Sequence, residues 1–242
     1  MAISSGKDPY WTAKRGTVQN GLIFHANFSV TQSYPGTGNI LYDLSGNGSS
    51  GTMINGANYL SSNGGIINFD GVDDYITGTF RSSLTSFPFT LSVWSKFQYR
   101  GMGGSPSLQF DLCVGVSNVQ FFGIGSVQYS NTSGPTLVAR NTSFYALEYN
   151  PGLSPIYSEK WNNVVGVFVS DTQKDLYING NYFATLATSI PFAAPSIFVL
   201  GAGPAPSFFS RSLSNDFIVY NRALTASEIQ QNFNATRKRF GV

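Results

Sequence analysis

At 242 residues the chain is long for an average domain but ordinary for a single all-β sandwich. Charged residues make up only 11% and the formal net charge is +2, so neither nucleic acid nor an acidic membrane is a partner its charge would steer it towards. A lone cysteine, Cys113, excludes internal disulfides, and a lone histidine, His25, excludes any mechanism that needs two imidazoles.

No apolar run approaches the ~18 residues of a membrane span, and the N-terminus lacks the apolar core of a signal peptide. Together with the cysteine count this leads us to expect folding in a reducing cytoplasm rather than membrane insertion or general secretion. With so few charges, surface polarity must come from Ser, Thr, Asn and Gly. Such a surface suits a protein packed against neighbours or sugars, and equally a plain low-charge β domain.

In chain order, residues 1–20 are polar around Tyr10-Trp11 and read as an N-terminal arm, with those two rings as candidate anchors on a partner. Gly21 to Phe28 is the first strand, where His25 is expected to be a satisfied structural residue. Asp43 to Gly51 is a Gly/Ser/Asn loop, and Asp70-Gly71 is a tight turn between strands. Phe87 to Phe97 is the clearest long strand: Phe89, Leu91, Val93 and Phe97 share one face, Ser95 being the exception, and the other face is mixed, which reads as half-buried sheet.

Leu108 to Val116 and Val119 to Val127 form two apolar strands, with Cys113 as core filler. Phe144, Tyr145, Leu147 and Tyr149 follow among polar groups: exposed, they would form a binding patch, and buried, they would extend the sandwich. Trp161 to Val169 and Lys174 to Leu186 complete the core, the latter turning at Asn179-Gly180, a strong hairpin signal. Prolines bracket the strand Ser196 to Gly201.

Asn215 to Tyr220 is apolar on both faces, Phe217 and Val219 on one and Ile218 and Tyr220 on the other, as in a buried central strand. Then the period changes. Thr225 and Glu228 have capping-box spacing, Leu224 and Ile229 lie where a hydrophobic staple falls, and Phe233 follows on the same face. A short helix of about ten residues follows, with Arg237-Lys-Arg239 just beyond it, where cations complement the helix dipole. Roughly 12 to 14 strands with turns between them and one late helix describe an all-β, two-sheet antiparallel sandwich or jelly roll, closed by pairing of its first and last strands.

Tyr220-Asn-Arg-Ala-Leu-Thr-Ala-Ser-Glu-Ile-Gln-Gln-Asn-Phe-Asn234 resembles the closing motif of the laminin-G-like, concanavalin A-type jelly rolls of the lectin/glucanase superfamily. Other landmarks come in the same order: Ser33-Tyr-Pro-Gly36, Asp43-Leu-Ser-Gly-Asn-Gly-Ser-Ser-Gly51, Asn68-Phe-Asp-Gly-Val-Asp-Asp-Tyr75, Phe89-Thr-Leu-Ser-Val-Trp94, Trp161-Asn-Asn-Val-Val165 and Leu176-Tyr-Ile-Asn-Gly180. The resemblance implies one jelly-roll domain over 21–242. It says less of function, because one fold hosts many.

A glucanase of this superfamily needs two carboxylates about 5 to 9 Å apart over a cleft. The three glutamates, Glu148, Glu159 and Glu228, have no acidic partner two positions away, and Glu228 is accounted for by the cap. With no nucleophile elbow, Cys/His pair, phosphate loop or His-rich metal cluster either, we expect no enzyme activity.

Similar domains often hold an ion near the loop corresponding to Asp43–Gly51. That implies a Ca²⁺ site from Asp43, Asn215 and Asp216, weakened because Asn215 stands where Asp is common. On the alternative reading Asp43 and Asn47 only shape their own turn, and no cofactor is needed. For sugar, the exposed-aromatic candidates are Tyr145, Tyr149 and Tyr157.

The full closing motif, running on to Gly241, also resembles jelly-roll modules of bacteriophage decoration proteins, head fibres and tail fibres. This implies a virion protein made in the host cytoplasm, present as a homo-oligomer or in many copies. It would dock through its arm on other capsid or tail proteins and bind a cell-surface glycan. A free-standing lectin or adhesin is the alternative.

Overall fold

The computed structural model describes residues 16–82, 84–98, 107–117, 119–128, 133–141, 143–148 and 159–242. The strands are β1 (Leu22–Ala26), β2 (Ile40–Tyr42), β3 (Ser50–Ile54), β4 (Asn58–Leu60), β5 (Ile66–Asp70), β6 (Tyr75–Thr79), β7 (Phe89–Phe97) and β8 (Ser107–Ser117). They continue with β9 (Gln120–Gln128), β10 (Ser133–Asn141), β11 (Ser143–Glu148), β12 (Trp161–Phe168), β13 (Lys174–Ile178), β14 (Asn181–Leu186), β15 (Ile197–Leu200) and β16 (Arg211–Tyr220), followed by helix α1 (Ala226–Phe240).

Two antiparallel eight-stranded sheets face each other. One runs β14-β13-β12-β7-β16-β5-β4, with β1 also on β16; the other runs β11-β10-β9-β8-β15-β6-β3-β2. Alternation along each strand sends Phe24, Phe69, Leu91, Val93, Leu112, Phe122, Phe198, Phe217 and Val219 into the space between them. Asn179 (φ 52°) and Gly180 (φ 81°) both lie in the left-handed region, which makes the β13–β14 connection the expected tight hairpin.

β16 organises the first sheet. On one side it pairs with β7; on the other it pairs with β5 through Arg211–Ser214 and then with β1 through Phe217–Tyr220. The changeover falls at a bulge where Asp216 takes φ 57°. First and last strands therefore do pair.

The outer face of this sheet is not half-buried as expected. Ile218, Tyr220, Val165 and Val167 lie under Leu224 and Ile229, and Trp94 stacks against Phe233 and Phe240 at centroid distances of 5.7 and 4.3 Å. The capping box forms as the spacing predicts, but α1 has 15 residues and takes Arg237, Lys238 and Arg239 into its last turn. It is longer than expected because Phe240 is anchored between Trp94 and Trp161, a tertiary contact that local spacing cannot show.

Residues 16–20 are strapped onto the same face by the domain itself. Val18 donates its N–H to Asn232 Oδ1 at 2.8 Å and accepts from the Tyr220 hydroxyl at 3.0 Å, while Gln231 Nε2 donates to the Gly16 carbonyl at 3.0 Å. Among the described residues, no helix is long and apolar enough to cross a membrane.

Candidate functional site

The three residues expected to ligate calcium lie on β16 and on the loop after β2. Asp43 Oδ1 accepts the His25 N–H at 2.9 Å and the Ser45 N–H at 2.8 Å, and Oδ2 accepts from the Ser45 hydroxyl at 2.6 Å. Asn215 Oδ1 accepts the Phe28 N–H at 2.9 Å, while its Nδ2 donates to the Gly65 carbonyl at 2.6 Å. At the bulge, Asp216 Oδ1 meets His25 Nε2 at 2.7 Å and Asn27 Nδ2 at 2.8 Å.

Positive charge is already present here. Burial would raise the Asp216 carboxyl, but the His25 hydrogen bond, the His25 charge and Arg239 together hold it below the usual carboxylate range. Arg239 reaches in from α1, donating to the carbonyls of Gly65 and Asn63 at 2.6 and 2.7 Å. This donor-filled arrangement does not suit a metal cation. It welds β1, β16, the turn before β5 and the helix end into one buried network, with Asp43 acting as the turn former of the alternative reading. His25 is, as expected, a satisfied structural histidine.

A carboxylate group that spacing did not single out is Asp70, Asp73 and Asp74, whose oxygens lie within 4.8 Å of one another. They ring the β5–β6 turn rather than flank a cleft: Asp70 accepts the Val72 N–H, Asp74 accepts the Asp70 N–H, and Val72 between them is 66% exposed.

Of the aromatic candidates, Tyr145 lies in β11 opposite Ala139. Tyr10, Trp11, Tyr149 and Tyr157 lie outside the described residues. The aromatic patch that is described belongs to the β13–β14 hairpin, where Tyr177 and Tyr182 are cross-strand partners. Tyr182 is 58% exposed and edge-on to Tyr177, with ring centroids 5.6 Å apart and planes at 78°. Tyr177 is half-buried beside Val165, which fixes the ring that Tyr182 leans on.

A polar chain lies alongside. The Tyr182 hydroxyl and Thr185 Oγ1 are 2.9 Å apart, Thr185 donates to Asp175 Oδ1, and Gln173 Nε2 donates to Asp175 Oδ2 at 3.0 Å. Burial, then the Asp175 charge and Tyr182, raise the Tyr177 phenol. An exposed ring face beside an anchored carboxylate and hydroxyls matches what a pyranose offers, one apolar C–H face and a rim of hydroxyls. The Asn179-Gly180 turn made the hairpin legible. That Tyr182 would be exposed was not legible, because exposure depends on what packs over the hairpin in three dimensions.

Comparison with curated protein sequences finds no match. Among solved structures, the botulinum neurotoxin serotype D binding domain superposes with a TM-score of 0.68 at 13% identity, covering 90% of this chain and 52% of that one. The botulinum neurotoxin type G receptor binding domain gives 0.64 at 12% identity, covering 89% and 51%. The binding domain of botulinum neurotoxin DC in complex with SialylT gives 0.65 at 15% identity, covering 90% and 52%. The chain spans about half the length of these proteins, and at such identities the likeness is one of fold. A family model described as the concanavalin A-like lectin/glucanases superfamily matches residues 70–230, more than half of the chain. By its sequence, and with two sheets and a terminal helix arranged accordingly, the chain belongs to the concanavalin A-like lectin/glucanase superfamily.

Proposed function

We propose that the chain is a non-catalytic carbohydrate-recognition module in which a pyranose stacks on Tyr182 and hydrogen-bonds the exposed Tyr182 and Thr185 hydroxyls, which the buried Asp175 carboxylate orients. The observation that carries this is the exposed Tyr182 ring held against Tyr177 beside the Asp175–Thr185 pair. The use of similar folds as binding domains, one of them in complex with SialylT, is consistent with it. Among the described residues, Asp216 is enclosed in its network and Glu228 is engaged by the helix cap, which supports a binding role over hydrolysis.

One ring and two or three hydrogen bonds give single-site binding near the millimolar range, about −4 kcal/mol. Useful adhesion then needs many copies, as on a particle. We place those copies on a bacteriophage virion, consistent with the resemblance of the closing motif. Residues 16–20 lie strapped on the helix-covered face, and we assign residues 1–15 the attachment to the carrier.

Titration of monosaccharides and sialylated oligosaccharides followed by NMR should shift the Tyr182 and Tyr177 ring signals, and Tyr182→Ala should abolish the shifts with melting unchanged. Sugar-dependent shifts that persist in Tyr182→Ala would sink the proposed site. Removing residues 1–15 should leave monomer affinity intact and abolish incorporation into particles.

A further inference from the structure

The core between the sheets is interrupted by a cluster of oxygens. Asp111 lies where β8 slips register against β9, between Phe110 and Leu112. Its fully buried carboxylate meets Ser210, Ser212 and Ser214, alternate residues leading into and along β16, with Ser95 of β7 beside them. Asp111 Oδ1 accepts from Ser210 at 2.7 Å, Ser212 at 2.8 Å and Ser214 at 3.3 Å. The hydroxyls also touch one another, at 2.9 Å for Ser210–Ser212, 2.8 Å for Ser212–Ser214 and 3.3 Å for Ser95–Ser214.

That makes six close oxygen contacts and only four hydroxyl protons, so with one proton to a contact two contacts have none between them. The second carboxylate oxygen, Asp111 Oδ2, is buried with no hydrogen-bond partner. Among the described residues, no ammonium, guanidinium or imidazole bears on the carboxyl: burial pushes it up, and serine hydroxyls pull it back.

A buried carboxylate without a counter-charge is costly, and so is a buried oxygen without a partner. A water on Oδ2 would satisfy the oxygen and leave the charge. A proton would remove the charge and leave Oδ2 a hydroxyl without an acceptor or a carbonyl without a donor. A small cation answers both, the hydroxyl oxygens turning lone pairs to it while their protons stay on Oδ1. Oxygen-only donors select a hard ion, and charge balance selects a monovalent one, since a divalent ion would leave net charge buried. We propose that Asp111, Ser95, Ser210, Ser212 and Ser214 form a buried Na⁺ site that ties β8 of one sheet to β7 and β16 of the other.

The test is thermal melting of the whole chain in choline chloride against NaCl at constant ionic strength. Above its Kd, each tenfold rise in Na⁺ should raise Tm by about 3–5 °C for a domain of this size. Asp111→Asn should lose this dependence. Should it not fold, Ser212→Ala keeps the carboxylate, and its dependence should move to higher Na⁺. Equal midpoints for wild type in the two salts would overturn the proposal. So would a Na⁺ dependence that survives in Asp111→Asn, or a shift produced by millimolar Ca²⁺ and not by Na⁺.

Discussion

Replacing Glu228 by Gln separates charge from shape at the start of α1. The carboxylate faces Arg222 in a two-pronged pair, Oε1 at 2.7 Å and Oε2 at 2.9 Å, and Oε2 also accepts the Thr225 N–H at 2.9 Å. Glutamine keeps an acceptor for the cap and loses the charge. The Arg222 hydrogen bond is the main cause that lowers the Glu228 carboxyl from 4.5 to about 2. In a dry site that displacement would correspond to about 3 kcal/mol. Here the side chains are 24% and 27% exposed, and water screening brings the pair to about 1 kcal/mol, or about 2–4 °C in Tm.

The pH dependence has a definite sign. The folded carboxyl titrates lower than the unfolded one at about 4.3, so its stabilisation is complete above that value and is lost as pH falls towards 2. Urea midpoints of wild type and Glu228→Gln should therefore differ at pH 7, with equal m-values, and the gap should shrink to less than half by about pH 3. A gap unchanged at pH 3 would refute the charge explanation and leave packing as the cause. No gap at pH 7 would mean the pair contributes nothing.

Lys174 is fully buried, its ammonium donating to the carbonyls of Asp171 and Thr188, and burial lowers it to about 8. With its folded value below the unfolded ~10.4, wild type should gain stability relative to Lys174→Met as pH rises from 8 to about 10.5, read from urea midpoints at pH 7 and 10. Phe233→Ala removes the ring stacked on Trp94 and should cost about 3 kcal/mol, with a red shift of tryptophan emission before global unfolding. Gly65 has φ 124°, and a Cβ there would stand 2.1 Å from the Phe28 carbonyl oxygen, so Gly65→Ala should lose at least about 3 kcal/mol. Gly38, at φ 84° with nothing within 4 Å of an added Cβ, should lose only about 1 kcal/mol when changed to Ala.

Local signals carried most of the architecture. The two-sided apolar pattern of Phe217 to Tyr220 placed β16 inside a sheet, and the Thr225/Glu228 spacing placed the cap. What stayed hidden depended on partners distant in sequence. The mixed outer face of β7 looked solvated because nothing beside Trp94 announces that Phe233 and Phe240 will cover it. The resemblance implied an ion between Asp43, Asn215 and Asp216, and neither it nor local spacing could show that His25, Asn27 and Arg239 come to these side chains. Asp111 was a single acid in an apolar run, and its serines come from β7, from β16 and from Ser210 just before it. Ser95, the one break in an otherwise regular apolar face, was the visible trace of that cluster.

The central position of β16 also governs when the molecule can form during synthesis. Until residues 211–220 leave the ribosome, β1, the β4–β5 pair and the β7–β12–β13–β14 block have no common neighbour to join them. A nascent chain lacking residues 211–242 should remain protease-sensitive and dependent on chaperones, and acquire resistance in a single late step rather than piece by piece.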